Sequence, residues 1–306
     1  MSDVNRLRRL LFANYLSTFG VITVGIFVLL AFLEVVTFGR ITPYGPYAAN
    51  FQQTNVLPSL AHLFGTDFEG RDIFSQVIAC LPVDIGIPIV VVLVSAVLGI
   101  ILGTVAGYFR GWCDEVIMRV TDMFLAFPTI IMSLAIAATL GPSLLNATIS
   151  LIFVWWPPYV RLVRGSVLEV AAEDFVSVSK ALNSSFFYIM RKDAIPNVLP
   201  SVIVYATTDI GSALATLSTL GYLGIGIPPE MPELGKMVSS ISYNLYTYPW
   251  QVIIPAVIVM VIVAGFSFLG EGLRESLDVK LRPHILLRSK PLEALEDSAK
   301  TSPASD

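Results

Sequence analysis

The sequence has few charged residues, histidines and cysteines, and these shortages exclude several classes of function. Only 14% of its 306 residues are charged, whereas soluble domains carry about 25%. The two histidines, His62 and His284, lie too far apart in the chain for a clustered histidine metal site. The two cysteines, Cys80 and Cys113, fall on opposite membrane faces in the topology predicted below, so we expect no disulfide.

The chain also lacks a phosphate-binding loop. Its only Gly-Lys pair, Gly235-Lys236, is followed by Met237 rather than by Ser or Thr. The glycine-rich stretch 221–226 has the wrong spacing for a dinucleotide loop and follows no predicted strand. We therefore predict a chain that is not an enzyme, with no catalytic residue, no metal and no cofactor of its own, and unable to hydrolyse ATP by itself.

Long apolar runs are abundant and predict six transmembrane helices. Hydrophobic residues make up 55% of the sequence, and the mean hydropathy is +0.75. A hydrocarbon core of about 30 Å needs roughly 20 apolar helical residues. Runs of this kind cover residues 10–36, 85–108, 120–140, 144–163, 198–220 and 252–269. The sequence thus predicts an all-α polytopic membrane protein.

The distribution of Lys and Arg predicts the orientation. With the N-terminus inside, sixteen Lys and Arg residues face the cytoplasm, and only Arg40, Arg71 and Lys236 face outward. Both termini are therefore predicted to be cytoplasmic, in a multi-pass protein of the cell membrane. The predicted organisation is a cytoplasmic N-terminus (1–9), a first uncleaved span (10–36), an extracytoplasmic segment (37–84), a transmembrane core (85–283) and a disordered cytoplasmic tail (284–306).

A polar segment interrupts the apolar pattern between the fourth and fifth predicted spans. It covers residues 173–200 and is far longer than the connections of about 2–8 residues that join packed helices. It predicts two short helices separated at Asn183, with Ser184 or Ser185 as the N-cap of the second. We expect the second helix to end before Pro196 and to expose four large apolar side chains, Phe186, Phe187, Ile189 and Met190.

This amphipathic elbow has three possible roles. It could dock into a groove of a partner protein, because paired aromatic side chains are typical interface anchors. It could also pack against helices of its own chain, or lie in the membrane interface. The residues alone leave these alternatives open.

Few charged residues fall inside the predicted spans. Asp209 lies in the middle of the fifth span and could line a pathway, or could hydrogen-bond within or between helices, with neighbouring hydroxyls as candidate donors. We expect Asp122 to pair with Arg119 and Glu34 to reach the interface. Trp155 to Pro158, with two prolines, predicts a bend in the fourth span.

Several stretches resemble one transporter family. Residues 65–72 read GTDFEGRD and are similar to the Gly-Thr-Asp-x-x-Gly-Arg-Asp signature of dipeptide/oligopeptide/nickel permeases. The polar segment resembles the cytoplasmic loop of permeases of binding-protein-dependent ABC importers, with Ser177 and Asn183 in place of its usual glutamate and glycine. Further matches are 107–115, 126–128, 141–146, 156–165, 223–226 and 270–278.

The resemblance implies a type I ABC importer permease, the second, C-type subunit, with a coupling loop at 166–197. Such a subunit pairs with a second homologous permease, and with two ABC ATPase subunits that bind ATP and Mg. A solute-binding protein delivers substrate from outside, and no nucleic acid takes part. The candidate ATPase-coupling residues are Ser177, Lys180, Ala181, Leu182, Asn183, Phe186 and Phe187.

Two further groups of residues are candidates for roles in such a permease. Asp209 and Ser212 are candidates for lining or stabilising the pathway. An extracytoplasmic cluster is expected to brace the outer loop rather than to bind a ligand; its members are Gly65, Asp67, Gly70, Arg71 and Asp72.

The resemblance favours di- or oligopeptides as substrate and leaves oligosaccharides and nickel chelates open. A secondary carrier driven by an ion gradient is a remote alternative, because only Asp209 is a central intramembrane acid. A membrane-embedded enzyme lacks a nucleophile–base pair or a metal constellation in this sequence, and a scaffold without transport stays a further alternative.

Overall fold

The computed structural model describes residues 14–173, 184–228 and 231–277. Its elements are helices. The first five are α1 (Tyr15–Val36), α2 (Ile73–Phe109), α3 (Gly111–Leu125), α4 (Thr129–Leu140) and α5 (Leu144–Ala171). They are followed by α6 (Phe186–Ile189), a π-helical turn (Met190–Ala194), α7 (Ile195–Tyr222), α8 (Leu234–Ile241), a 3-10 turn (Ser242–Asn244) and α9 (Pro249–Leu277). Since these residues contain no strand beyond one isolated bridge, the all-α prediction is confirmed.

Four of these helices are long and apolar enough to cross a membrane, namely α1, α2, α7 and α9. Helices α3 and α4 form a fifth candidate span, bent by 86° where they meet. Helix α5 has 28 residues but is less apolar, with Arg161, Arg164 and Glu169 along it. By length and composition the described residues thus supply four or five spans, and the count of six stays a prediction.

The prolines of the fourth span do not interrupt its helix, a sharp turn lies elsewhere in the chain, and the bend at residues 155–158 stays a prediction. Helix α5 continues as one helix through Pro157 and Pro158, whereas the 86° turn lies between α3 and α4. Pro128 is the N-cap of α4 there, and a proline restricts the residue before it to extended backbone, which ends the preceding helix. Helix α2 also differs from its prediction, because it begins at Ile73, well before residue 85.

Close contact between α2 and α5 forms the centre of the fold. Gly99, Gly103 and Gly107 recur every fourth residue on α2 and face α5. A Cβ atom on Gly103 would lie 2.7 Å from the carbonyl oxygen of Val160, so the two helix backbones touch at this point. Small residues at every fourth position permit such an approach between membrane helices. Helix α7 packs on α2, α5 and α9, and α9 packs on α1.

The short helix α6 leads into α7 rather than ending before Pro196. Ser185 is its N-cap and accepts a hydrogen bond from the amide of Tyr188, as predicted. Pro196 lies in the first turn of α7, where its missing N–H costs little because the first amides of a helix lack intrahelical partners. Ile189 and Met190, predicted to be exposed, are buried because they form a small core with other residues of this region.

Glu34 near the end of α1 is buried rather than placed at the interface as expected. Its side chain is 8% exposed, and its Oε2 atom has no hydrogen-bond partner. The chain folds back over this residue after α1, because the amide of Gly39, at φ 78°, donates to the carbonyl oxygen of Glu34 (3.0 Å).

Candidate functional site

The two phenylalanines of the coupling segment have different surroundings. The ring centroid of Phe186 lies 4.8 Å from that of Tyr108 and 4.9 Å from that of Phe109, at the end of α2. Phe187 is 80% exposed. Phe186 therefore attaches α6 to its own chain, and Phe187 is the member of the pair available to another protein. The remaining candidate coupling residues, Ser177, Lys180, Ala181, Leu182 and Asn183, lie outside the described residues.

Asp209 joins α7 to α5. Its Oδ2 atom accepts hydrogen bonds from Trp155 Nε1 (2.7 Å) and Tyr159 Oη (2.9 Å). The adjacent threonines are not its donors, because Thr207 and Thr208 donate to backbone carbonyls of their own helix. Sequence spacing could not identify the aromatic donors, since they are about 50 residues away in the chain.

A line of exposed polar side chains runs along α7 beside Asp209. Ser201, Tyr205, Thr208 and Ser212 are all exposed in this chain. Their spacing of four, three and four residues places them on one helix face. The hydroxyl of Thr208 is bonded within its own helix, but those of Ser201, Tyr205 and Ser212 favour contact with water or another protein chain over contact with lipid. We call these four residues the α7 polar face.

The extracytoplasmic candidates form a network of hydrogen bonds. Asp67 Oδ1 accepts from the amides of Glu69 (2.8 Å) and Arg71 (2.9 Å). Its Oδ2 accepts from Arg71 Nε (2.7 Å) and Gln76 Nε2 (3.0 Å). A carboxylate with four donors has no vacant position for a ligand of ordinary size.

Asp72 is the N-cap of α2 in the same network. Its Oδ2 accepts from the amide and the hydroxyl of Ser75, and its Oδ1 lies 2.9 Å from His62 Nδ1. Gly65 and Gly70 have φ values of 76° and 73°, where side chains are strained. At Gly70 an added Cβ would also clash with the backbone of Asn50.

Gln251 connects this outer network to α9. It is fully buried, and its Nε2 donates to the carbonyl oxygen of Thr66 and to Asn55 Oδ1, both at 2.8 Å. Its Oε1 accepts from Asn244 Nδ2 (2.9 Å). The sequence could not predict this contact, because Gln251 is a lone glutamine at the start of an apolar run and Thr66 is more than 180 residues away in the chain.

Two ion pairs hold α3 against α5. Arg164 donates to Asp114 through Nε and a terminal nitrogen, in a bidentate contact (2.5 and 2.6 Å). Asp122 pairs with Arg161 (2.6 Å) and not with Arg119, which instead pairs with Glu115. The predicted Asp122–Arg119 pair was wrong because the packing of α3 on α5 brings a second arginine closer to Asp122.

The chain is similar to a known family and to individual proteins within it. The family described as "Binding-protein-dependent transport system inner membrane component" matches residues 99–283. The chain is 36% identical to the dipeptide transport system permease protein DppC of Alkalihalophilus pseudofirmus, over 85% of this chain and 86% of that protein. It is 34% identical to the probable D,D-dipeptide transport system permease protein DdpC of Escherichia coli, over 85% and 87%.

A third relative and one solved structure agree with these matches. The glutathione transport system permease protein GsiD of Pectobacterium atrosepticum is 32% identical, over 85% of this chain and 87% of that protein. The crystal structure of an amino acid ABC transporter matches with a TM-score of 0.51 and 16% identity, over 65% of this chain and 92% of that one, and so supports the fold alone. The chain belongs to the family of inner membrane components of binding-protein-dependent transport systems.

Proposed function

We propose that this chain is the permease subunit of an ATP-binding-cassette importer that takes up di- and oligopeptides. The observation that carries the proposal is the extent of the match to permeases named for dipeptide, D,D-dipeptide and glutathione transport, which covers about 85% of the chain. Glutathione is itself a peptide, so the three names share one substrate class. They favour peptides over oligosaccharides and nickel chelates.

The proposal includes three kinds of partner. A second, homologous permease completes the pathway, and two ATPase subunits bind ATP and Mg on the cytoplasmic side. An extracytoplasmic binding protein delivers the peptide. Both termini of this chain are cytoplasmic, in line with the excess of Lys and Arg on that side.

The exposed Phe187 supports a docking role for the coupling segment. Its ring is anchored to the rest of the chain through Phe186, whose centroid lies 5.4 Å away. Phe186 in turn packs on the end of α2 and α6 continues into α7. A push on Phe187 by an ATPase would therefore reach two spans, which is the rigid coupling that alternating access needs.

The α7 polar face, together with Asp209, is proposed to line the pathway. The hydroxyl groups of Ser201, Tyr205 and Ser212 are better placed against water, substrate or a polar partner than in lipid, and a pathway between two permeases supplies all three. The outer network, by contrast, is proposed to brace the outer segment, because the hydrogen bonds of Asp67 and Asp72 are satisfied within the chain.

Removing the negative charge of Asp209 distinguishes a role in the pathway from a role in helix packing alone. Asp209→Asn keeps an oxygen that accepts from Trp155 and Tyr159 but removes the negative charge, so we expect the complex to remain stable. Uptake is expected to fall roughly five- to ten-fold, because a hydrogen bond from a group in the pathway to a charged carboxylate is stronger than one to a neutral amide by about 1–1.5 kcal/mol. Uptake by reconstituted complexes and their melting temperatures measure the two effects. Unchanged uptake in Asp209→Asn, with lower stability in Asp209→Ala, would leave Asp209 a packing residue only.

Affinity purification tests the proposed assembly. The tagged full-length chain, purified from its native membranes in a mild detergent, is expected to bring with it a second permease and ABC ATPase subunits. Mass spectrometry of the purified complex, and of the ligands held by its binding protein, identifies partners and substrate together. Recovery of the chain without any ATPase subunit would contradict the proposal.

A further inference from the structure

Two buried carboxyl groups meet where α2 passes the start of α8. Asp84 lies on α2 and is 0% exposed. Glu233 is the N-cap residue of α8 and is 1% exposed. Buried carboxylates are costly unless they are paired with a cation or fully hydrogen-bonded, so the donors around this pair decide its charge.

The first turn of α8 supplies three backbone donors. The amide of Leu234 donates to Asp84 Oδ2 (3.1 Å). The amides of Gly235 and Lys236 donate to Glu233 Oε1 (2.8 Å) and Oε2 (2.7 Å). The N-terminus of a helix carries the equivalent of about half a positive elementary charge. It therefore stabilises negative charge at this end of α8 but does not offset two full negative charges.

One oxygen of the pair is left without a donor. Asp84 Oδ1 is buried, and no N–H or O–H group of the described residues donates to it. The two carboxyl groups are neighbours, because Asp84 Oδ2 accepts from the amide of Leu234, the residue that follows Glu233, and both side chains are almost fully buried there. Two ionised carboxylates repel each other and cannot hydrogen-bond, whereas a single proton between them converts the contact into a charged hydrogen bond.

Among the described residues around the pair, Lys236 is the cation, and its ammonium group donates to backbone carbonyl oxygens. Lys236 of α8 donates to the carbonyl oxygens of Pro228 (3.0 Å) and Met231 (3.4 Å). The thiol of Cys80, one turn before Asp84 on α2, is buried as well. From α7, only the uncharged Ser218 and Gly221 face Glu233; on α1, the acid Glu34 is likewise buried.

We propose that Asp84 and Glu233 share one proton in the folded permease, and that this protonated pair fastens α8 to α2. Residues before α8 are held to this helix as well, because Lys236 of α8 donates to the carbonyl oxygens of Pro228 and Met231. The inference concerns the outer end of the molecule and does not depend on which solute is transported.

The pair makes stability depend on pH in a defined direction. Burial raises the pKa of Glu233 above its usual value. The folded state therefore retains a proton that the unfolded chain releases at lower pH. The stability that the shared proton contributes is fully present below the ordinary carboxyl pKa. It is lost as the pH rises through the raised pKa of the pair.

Infrared difference spectroscopy of the purified complex during a pH titration detects the shared proton directly. We expect a carbonyl band of a protonated carboxyl group at neutral pH, which disappears at alkaline pH together with a fall in melting temperature. In Asp84→Asn the amide can donate to Glu233 without a proton. That variant is expected to lack the band and to lose the alkaline fall in melting temperature.

Two controls keep the test decisive. Glu271→Gln removes a carboxyl group that is 61% exposed on α9, so the band and the pH dependence are expected to persist. Glu233→Gln serves as a second variant if Asp84→Asn fails to assemble, and it should also lack the band. Absence of the band in the unmodified complex, or its persistence in both pair variants, would overturn the proposal.

Discussion

Replacing Phe187 with aspartate is expected to release the ATPase subunits and abolish ATP-driven uptake. The ring is 80% exposed in this chain, and an aromatic anchor in an interface contributes about 2 kcal/mol or more. A carboxylate in its place would also be buried without a partner in the groove it enters. We expect the affinity for the ATPase subunits to fall at least about 30-fold. Co-purification of the subunits and uptake in proteoliposomes measure the loss.

A matched substitution on the other side of the membrane controls for general damage. Phe51 in the outer segment is 76% exposed, so Phe51→Asp introduces the same charge at a similar exposure. It should leave the ATPase subunits bound. Phe186→Ala is expected instead to lower the stability of the chain, because its ring packs on Tyr108 and Phe109. If Phe187→Asp retains the ATPase subunits, the exposed ring has no part in docking.

Substituting Gly103 with leucine is expected to prevent α2 from packing on α5. A Cβ at this position meets the carbonyl oxygen of Val160 at 2.7 Å and the amide nitrogen of Arg164 at 3.0 Å. These are backbone atoms and cannot rotate away, so the helices must separate. Overpacking costs about 1–3 kcal/mol even where side chains can adjust. We therefore expect folded chain in the membrane to fall roughly ten-fold or more.

Gly86 provides the control on the same helix. A Cβ at Gly86 has no atom within 4 Å, so Gly86→Leu should accumulate to near the level of the unmodified chain. The amount of monodisperse protein extracted from membranes compares the two variants. Equal yields from Gly103→Leu and Gly86→Leu would show that α2 and α5 do not touch at the glycines.

Much of the fold could be predicted from the length of the apolar runs. The runs that gave α1, α2, α7 and α9 are long and largely apolar, so each one identified a helix that the structure contains. The outer cluster was also predictable as a group, because Asp67, Arg71 and Asp72 lie together in the sequence. Local pattern was sufficient wherever the interacting residues are close in the chain.

Contacts between distant helices could not be predicted in this way. Trp155 and Tyr159 as the donors to Asp209, and Arg161 as the partner of Asp122, depend on which helix faces meet. The same holds for the two phenylalanines of α6, whose identical chemistry gives no indication that only Phe186 packs inward. Asp84 and Glu233 are about 150 residues apart, and their contact appears only once α8 is positioned on α2.

Uptake of a labelled dipeptide into proteoliposomes tests the central claim most directly. The vesicles contain the complete complex, purified by a tag on this chain. The binding protein is added on the side of the membrane opposite the ATPase subunits. We expect accumulation that requires ATP on the ATPase side, persists without any ion gradient and is lost in Phe187→Asp. Accumulation driven by a proton or sodium gradient in the absence of ATP would contradict it.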